Sequence, residues 1–141
     1  MKLEEYIEDD LPFYHITHFG NKENIFEHGL KRMSNIQGIC VTRSSDTRVI
    51  NLIAVGQLVS GNNPEERYCI FKLLPSKHNI EVKDIRKDIT GESTNALNNY
   101  IRKDVIPVDM DDIFIDDITI TVNNIPYFKP IIDELIAEGL M

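Results

Sequence analysis

Positive charge is scarce in this chain. Its 15 Lys and Arg stand against 23 Asp and Glu, a formal net charge of −8 over 141 residues. Binding to a phosphate backbone rests on lysine and arginine, so this balance argues against a broad duplex-binding surface and leaves room only for a local basic patch. Cysteine is scarcer still. Cys40 and Cys69 each lie inside an apolar run, GICVT and RYCIFKLL, and read as reduced core thiols rather than a disulfide framework. No apolar run reaches the roughly 20 residues of a membrane-spanning helix. The opening MKLEEYIEDD is acidic, unlike a secretion signal. The expectation is a cytoplasmic protein with no membrane partner. The chain also lacks an N-x-S/T sequon and any clear internal repeat.

Several motifs that announce chemistry are missing. There is no phosphate-binding G-x-x-x-x-G-K-S/T loop, no G-x-G-x-x-G fingerprint and no G-x-S-x-G elbow. Neither H-E-x-x-H nor a Cys-x-x-Cys pair occurs, which argues against a zinc site. Of the four histidines, His15, His18, His28 and His78, the first two are three apart. On a strand that spacing puts them on opposite faces, poor geometry for a shared metal, so no metal is expected.

What is present is the patterning of one globular domain, residues 1–141, with 42% hydrophobic and 27% charged residues. Residues 1–11 form an acidic lead-in, frayed or a short helical turn. LPFYHITH is a strand started by Pro12. Asn21 caps a short helix that Gly29 ends, with Ile25 and Phe26 able to face the core. GICVT is a second strand. Val49, Ile50, Ile53, Ala54 and Leu58 then recur at helical spacing. RYCIFKLL is strongly β, and NIEVKDI reads as a shorter strand. A helix starting at Ser93 or Thr94 would set Ala96, Leu97, Tyr100 and Ile101 on one side. IFIDDITITV is a late strand, and residues 126–139 form an amphipathic helix carrying Ile131, Ile132, Leu135 and Ile136. Strands and helices intersperse without strict βαβ alternation, which predicts an α+β fold with a mixed or antiparallel sheet split by short flanking helices.

His15 and Thr17 are two apart on the first strand and so share a face. An imidazole nitrogen and a threonine hydroxyl together suit a ligand with several hydroxyls. They equally suit the polar face of an edge strand. The longer stretch YHITHFGNKENIFEHGL resembles the first motif of the ADP-ribosyltransferase superfamily, above all the opening of DNA ADP-ribosyltransferase toxins and RNA 2′-phosphotransferases. The shared features are Tyr14, His15 and Thr17 on a strand, Asn21 leading a short helix with Ile25 and Phe26, and the Gly29-Leu30 end. The resemblance implies that His15 and Thr17, beside Tyr14, hold the adenosine side of NAD or an ADP-ribose-like group.

GICVTRSSDTRVINLIAVGQL is similar to the second family motif, a glycine-led strand and a helix beneath the nicotinamide pocket. No aromatic stands between Gly38 and Leu58 to stack on nicotinamide, a departure from the family pattern. Thr42, Arg43 and Ser44 are the polar residues there to line the cofactor site. IRKDVIPVDMDDIFI resembles the turn of the third motif at Ile106-Pro107. The catalytic glutamate that should precede it is represented by Glu92, in TGEST, across a longer spacer than usual. Glu92 equally suits a solvated loop near a helix start, where the helix dipole favours a carboxylate. The likeness spans about residues 13 to 115 of a core drawn over 13–121.

The implied function is NAD-dependent transfer of ADP-ribose, with NAD as substrate, to an acceptor that is a protein or a nucleic acid. Glu92 would steady the positive charge that develops on the ribose, and His15 and Thr17 would orient the dinucleotide. In the 2′-phosphotransfer variant, Arg43, Arg48 and Arg102 are the cations at hand for the extra phosphate. The alternative is an inactive member of the fold that binds a nucleotide or a protein, such as a phage or mobile-element inhibitor.

Overall fold

The computed structural model describes residues 2–32, 38–50, 52–54, 65–85, 99–121 and 128–139. They make a mixed α+β structure of small antiparallel sheets and short helices. A three-stranded sheet has the order β1 (Phe13–His18), β4 (Glu65–Leu73), β7 (Ile113–Thr121). Two ribbons accompany it: β2 (Leu30–Lys31) with β6 (Val105–Ile106), and β3 (Ile39–Val41) with β5 (Asn99–Ile101). β1 runs antiparallel to β4 without a break, from Phe13 opposite Leu73 to His18 opposite Tyr68. A bridge between Tyr14 and Thr42 ties the start of β1 to the end of β3.

β4 is central because its apolar residues are wanted on both faces. Tyr68, Cys69, Ile70, Phe71 and Leu73 are all fully buried. Cys69, Phe71 and Leu73 join Phe13, Leu30, Ile39, Ile85, Ile101 and Ile106 in the larger core. Tyr68 and Ile70 turn the other way, onto Tyr14, Ile16, Ile50 and Ala54. The second cluster is covered by the helical residues 47–50 and 52–54, here α3; of the periodic residues Val49, Ile50 and Ala54 are buried, Ile53 is half-buried, and Leu58 lies outside the described residues.

Several local expectations are corrected. The acidic lead-in takes its helical alternative, as α1 (Leu3–Glu8), but it is not a mere surface extension: Leu3 and Tyr6 are core residues, with Tyr6 donating its hydroxyl to the Pro12 carbonyl. NIEVKDI is not a strand: Val82–Asp84 is a 3-10 turn. Its ends are locked by reciprocal bonds between the side chains of Glu81 and Asp84 and each other's backbone amides, which satisfy the chain locally and remove the need for a partner strand. Tyr100 and Ile101 belong to β5 rather than to a helix, because pairing with β3 seats Ile101 in the core. The start of that expected helix, at Ser93 or Thr94, lies outside the described residues, as does Glu92. The two thiols also part company. Cys69 is buried, whereas Cys40 is exposed, since Ile39 and Val41 take the core side of a strand whose faces alternate.

The C-terminal helix α5 (Phe128–Ala137) buries Leu135 completely and leaves Ile136 exposed. Arg48 reaches Asp46 at 2.7 Å, Glu134 of α5 at 3.3 Å and Glu138, just past the end of α5, at 2.6 Å, linking the start of α3 to the C-terminal helix. Among the described residues no helix is long and apolar enough to cross a membrane.

Candidate functional site

The first motif of the sequence folds around one cleft. β1 runs into a single 3-10 turn (Phe19–Asn21) and then α2 (Lys22–His28). Gly29 ends α2 with φ +81, a conformation that side chains rarely tolerate. A Cβ there would stand 2.9 Å from the Ile106 carbonyl oxygen, so glycine is also what lets β2 close on β6. Gly38 plays the matching part across the cleft, where a Cβ would lie 2.7 Å from the carbonyl oxygen of Ile101. The space between these walls is about 330 Å³, and its polar lining comes from His15, Thr17, Asn21, Asn24, Lys31 and Cys40.

The side chains of β1 have defined polarities. The half-buried His15 places Nδ1 2.8 Å from the Cys40 carbonyl oxygen. A carbonyl only accepts, so Nδ1 carries the proton and donates, and Nε2 is left as an acceptor. Loss of solvation lowers the His15 pKa below 6.5, only partly offset by the Cys40 carbonyl, so the ring is neutral at pH 7. Asn21 does not cap α2 with its side chain. Its Nδ2 donates instead to Thr17 Oγ1 at 3.1 Å, which leaves the threonine hydroxyl as a donor. The site therefore sets one acceptor and one donor, two residues apart, on the same face of a strand.

Not every residue nominated from the sequence stands there. Tyr14 faces the other side of β1, buried against Phe114 with ring centroids 4.8 Å apart. Burial raises its pKa, against the opposing effect of a hydrogen bond with Ser45. Thr42 meets Tyr14 through two backbone hydrogen bonds of 2.8 Å, and its side chain accepts from the Ser44 amide at 3.2 Å. Ser44 Oγ in turn accepts from the Asp46 amide. The Arg43 guanidinium lies 5.6 Å from the centre of the Tyr6 ring, and the Arg43 backbone carbonyl oxygen lies 3.1 Å from the Tyr6 hydroxyl, sharing its proton with the Pro12 carbonyl. Residues 42–44 thus form a turn feeding α3, and none of them lines the His15 cleft. In their place the structure brings in Asn21, Asn24, Lys31 and Cys40. Asn21 carried a signal as the lead of the short helix. Lys31 follows the buried Leu30 on a strand, so alternation alone turns it outward.

A second cleft, about 360 Å³, is lined in part by Lys77, His78, Lys103 and Pro107. His78 closes α4 (Pro75–His78), and its Nε2 lies 3.0 Å from Asp112 Oδ1. Lys77 reaches both Asp112 and Asp109, at 3.0 and 2.9 Å, and the Asp109 amide donates to the other Asp112 oxygen. Burial works to raise the Asp112 pKa, but the Asp109 amide, His78 and Lys77 outweigh it and hold the carboxyl below 3.8. Among the described residues no group of His, Cys, Asp and Glu could hold a metal ion. No family model matches the chain, and neither a curated protein nor a solved structure matches it.

Proposed function

We propose that this chain has an ADP-ribosyltransferase-like fold and transfers ADP-ribose from NAD to an acceptor. The observation that supports this best is the paired polarity of His15 and Thr17 in one cleft. A ribose presents adjacent hydroxyls, one able to donate to His15 Nε2 and the other able to accept from Thr17. The strand, the short helix and the Gly29-Leu30 end that carry the resemblance all contribute to this cleft.

The chemistry breaks the bond between nicotinamide nitrogen and the ribose carbon. Nicotinamide leaves as a neutral base with the bonding electrons, and positive charge builds on the sugar. A carboxylate beside the ribose stabilises that charge, the role given to Glu92, which lies outside the described residues. His15 and Thr17 hold the dinucleotide in a reactive pose. The acceptor's nucleophilic atom then bonds to the ribose carbon and releases its proton to solvent. An acidic chain disfavours duplex DNA as acceptor and suits a protein side chain or an unpaired nucleic acid better.

A second reading, a nucleotide-binding module without the reaction, is favoured by one observation: no described carboxylate lines the cleft. Mass-spectrometric detection of nicotinamide released from NAD separates the two. The transferase reading expects release by the native chain and a loss of about 100-fold or more in both Glu92→Gln and His15→Ala. An inert chain that still binds NAD through His15 assigns the second reading. A chain that binds no NAD contradicts both.

A further inference from the structure

Acidic residues outnumber basic ones by 23 to 15 in this chain, yet the described residues lining the His15 cleft include a lysine and no carboxylate. Lys31 is exposed, and no ion pair among the described residues involves it. The lysines of the second cleft differ. Lys77 is matched by Asp109 and Asp112, and Lys103 lies 3.7 Å from Asp84. A cation with no carboxylate among the described lining of its cleft, beside a donor–acceptor pair suited to a sugar, fits a ligand that carries its own negative charge. We infer that Lys31 reads a phosphate of the ligand, so that the cleft selects phosphorylated nucleosides over the bare nucleoside. This inference rests on the nucleotide reading of the cleft and assigns the charge selectivity within it to one residue.

The position of Lys31 is fixed by the fold rather than by a flexible loop. β2 pairs Lys31 with Val105 and Leu30 with Ile106, and Leu30 is fully buried. The close approach at Gly29 pins the strand just before Lys31. The ammonium therefore projects from an anchored backbone beside the cleft, and its four-carbon stem gives it reach.

Titration calorimetry of the full chain with adenosine, ADP and ADP-ribose at one ionic strength tests this. The native chain is expected to bind ADP and ADP-ribose about tenfold or more tightly than adenosine, the scale of one charge-assisted contact. Lys31→Gln should bring both phosphorylated ligands down to the adenosine level and leave adenosine unchanged. Lys31→Arg should keep the preference, and Lys103→Gln, in the second cleft, should not alter it. Equal affinity for adenosine and ADP in the native chain overturns the inference while leaving the nucleotide reading intact. So does a Lys31→Gln variant that weakens all three ligands alike. Absence of binding by all three overturns the nucleotide reading and this inference together.

Discussion

The His15 cleft and the His78 cleft are close in size, about 330 and 360 Å³, and each has a histidine in its wall. The histidines are held in different ways. His78 meets a buried carboxylate, and the lysine beside it meets the same carboxylate, so the donors and charges of that corner are satisfied within the protein. His15 is held by a backbone carbonyl, which fixes the ring without neutralising anything. One cleft has directed its polar groups at its own fold; the other has left an acceptor, a donor and an ammonium directed at whatever enters. Similar residue types in similar spaces thus divide into a structural knot and a candidate binding cleft, and the divide is set by where the hydrogen bonds go.

The largest test of that contrast is Asp112→Ala. It leaves the half-buried His78 and the Asp109 amide without their acceptor, and the expected cost is about 3 kcal/mol of unfolding free energy in urea. Gly29→Ala should come next, at about 2 kcal/mol, from positive φ and the contact with the Ile106 carbonyl. It should also distort the cleft wall and weaken ligand binding beyond its effect on stability. His15→Ala should cost only about 1 kcal/mol, one partly exposed hydrogen bond. A cost for His15→Ala equal to that of Asp112→Ala would erase the distinction between the two histidines.

The pH dependence of stability separates the same two groups. The native His15 pKa lies below the ordinary 6.5, so the unfolded chain takes up a proton first. Stability should decline as pH falls through 6.5 toward that lower native value, and His15→Ala should remove this step. The native Asp112 pKa lies below 3.8, so its contribution is fully present above that value and is lost as pH falls through the native one. Asp112→Asn should remove the Asp112 share of the acid step, which Asp10, Asp46 and Asp117 also feed, and leave the upper step unchanged. The smallest effect is expected from Arg48→Met, whose exposed bridges to α5 are screened by water and salt. A slightly lower melting temperature, with nucleotide binding unchanged, is the expected result.

Sequence patterning disclosed the longer strands β1, β4 and β7, which are dense in β-branched and aromatic residues, and missed the two-residue strands β2 and β6. It disclosed the shared face of His15 and Thr17, because a strand has a period of two. It missed the 3-10 turn at Val82–Asp84, where a reciprocal side-chain lock overrides an alternating pattern. It read Tyr100 and Ile101 as helical because their spacing allows it, and only the distant partner β3 decides otherwise. The polarity of the cleft was not legible at all. That His15 donates to Cys40 and Asn21 to Thr17 depends on contacts across the fold and around a turn, which no local pattern carries.

On the proposed reading, His15 Nε2 accepts from a nucleotide while His78 is committed to the fold. Ring-nitrogen NMR of the ¹⁵N-histidine-labelled chain, titrated with ADP-ribose, tests it most directly. The acceptor nitrogen of His15 is expected to shift with saturable dependence on ligand, and the His78 signals to stay where they are. Movement of His78 alone, or no movement of His15 at saturating ligand, would contradict it.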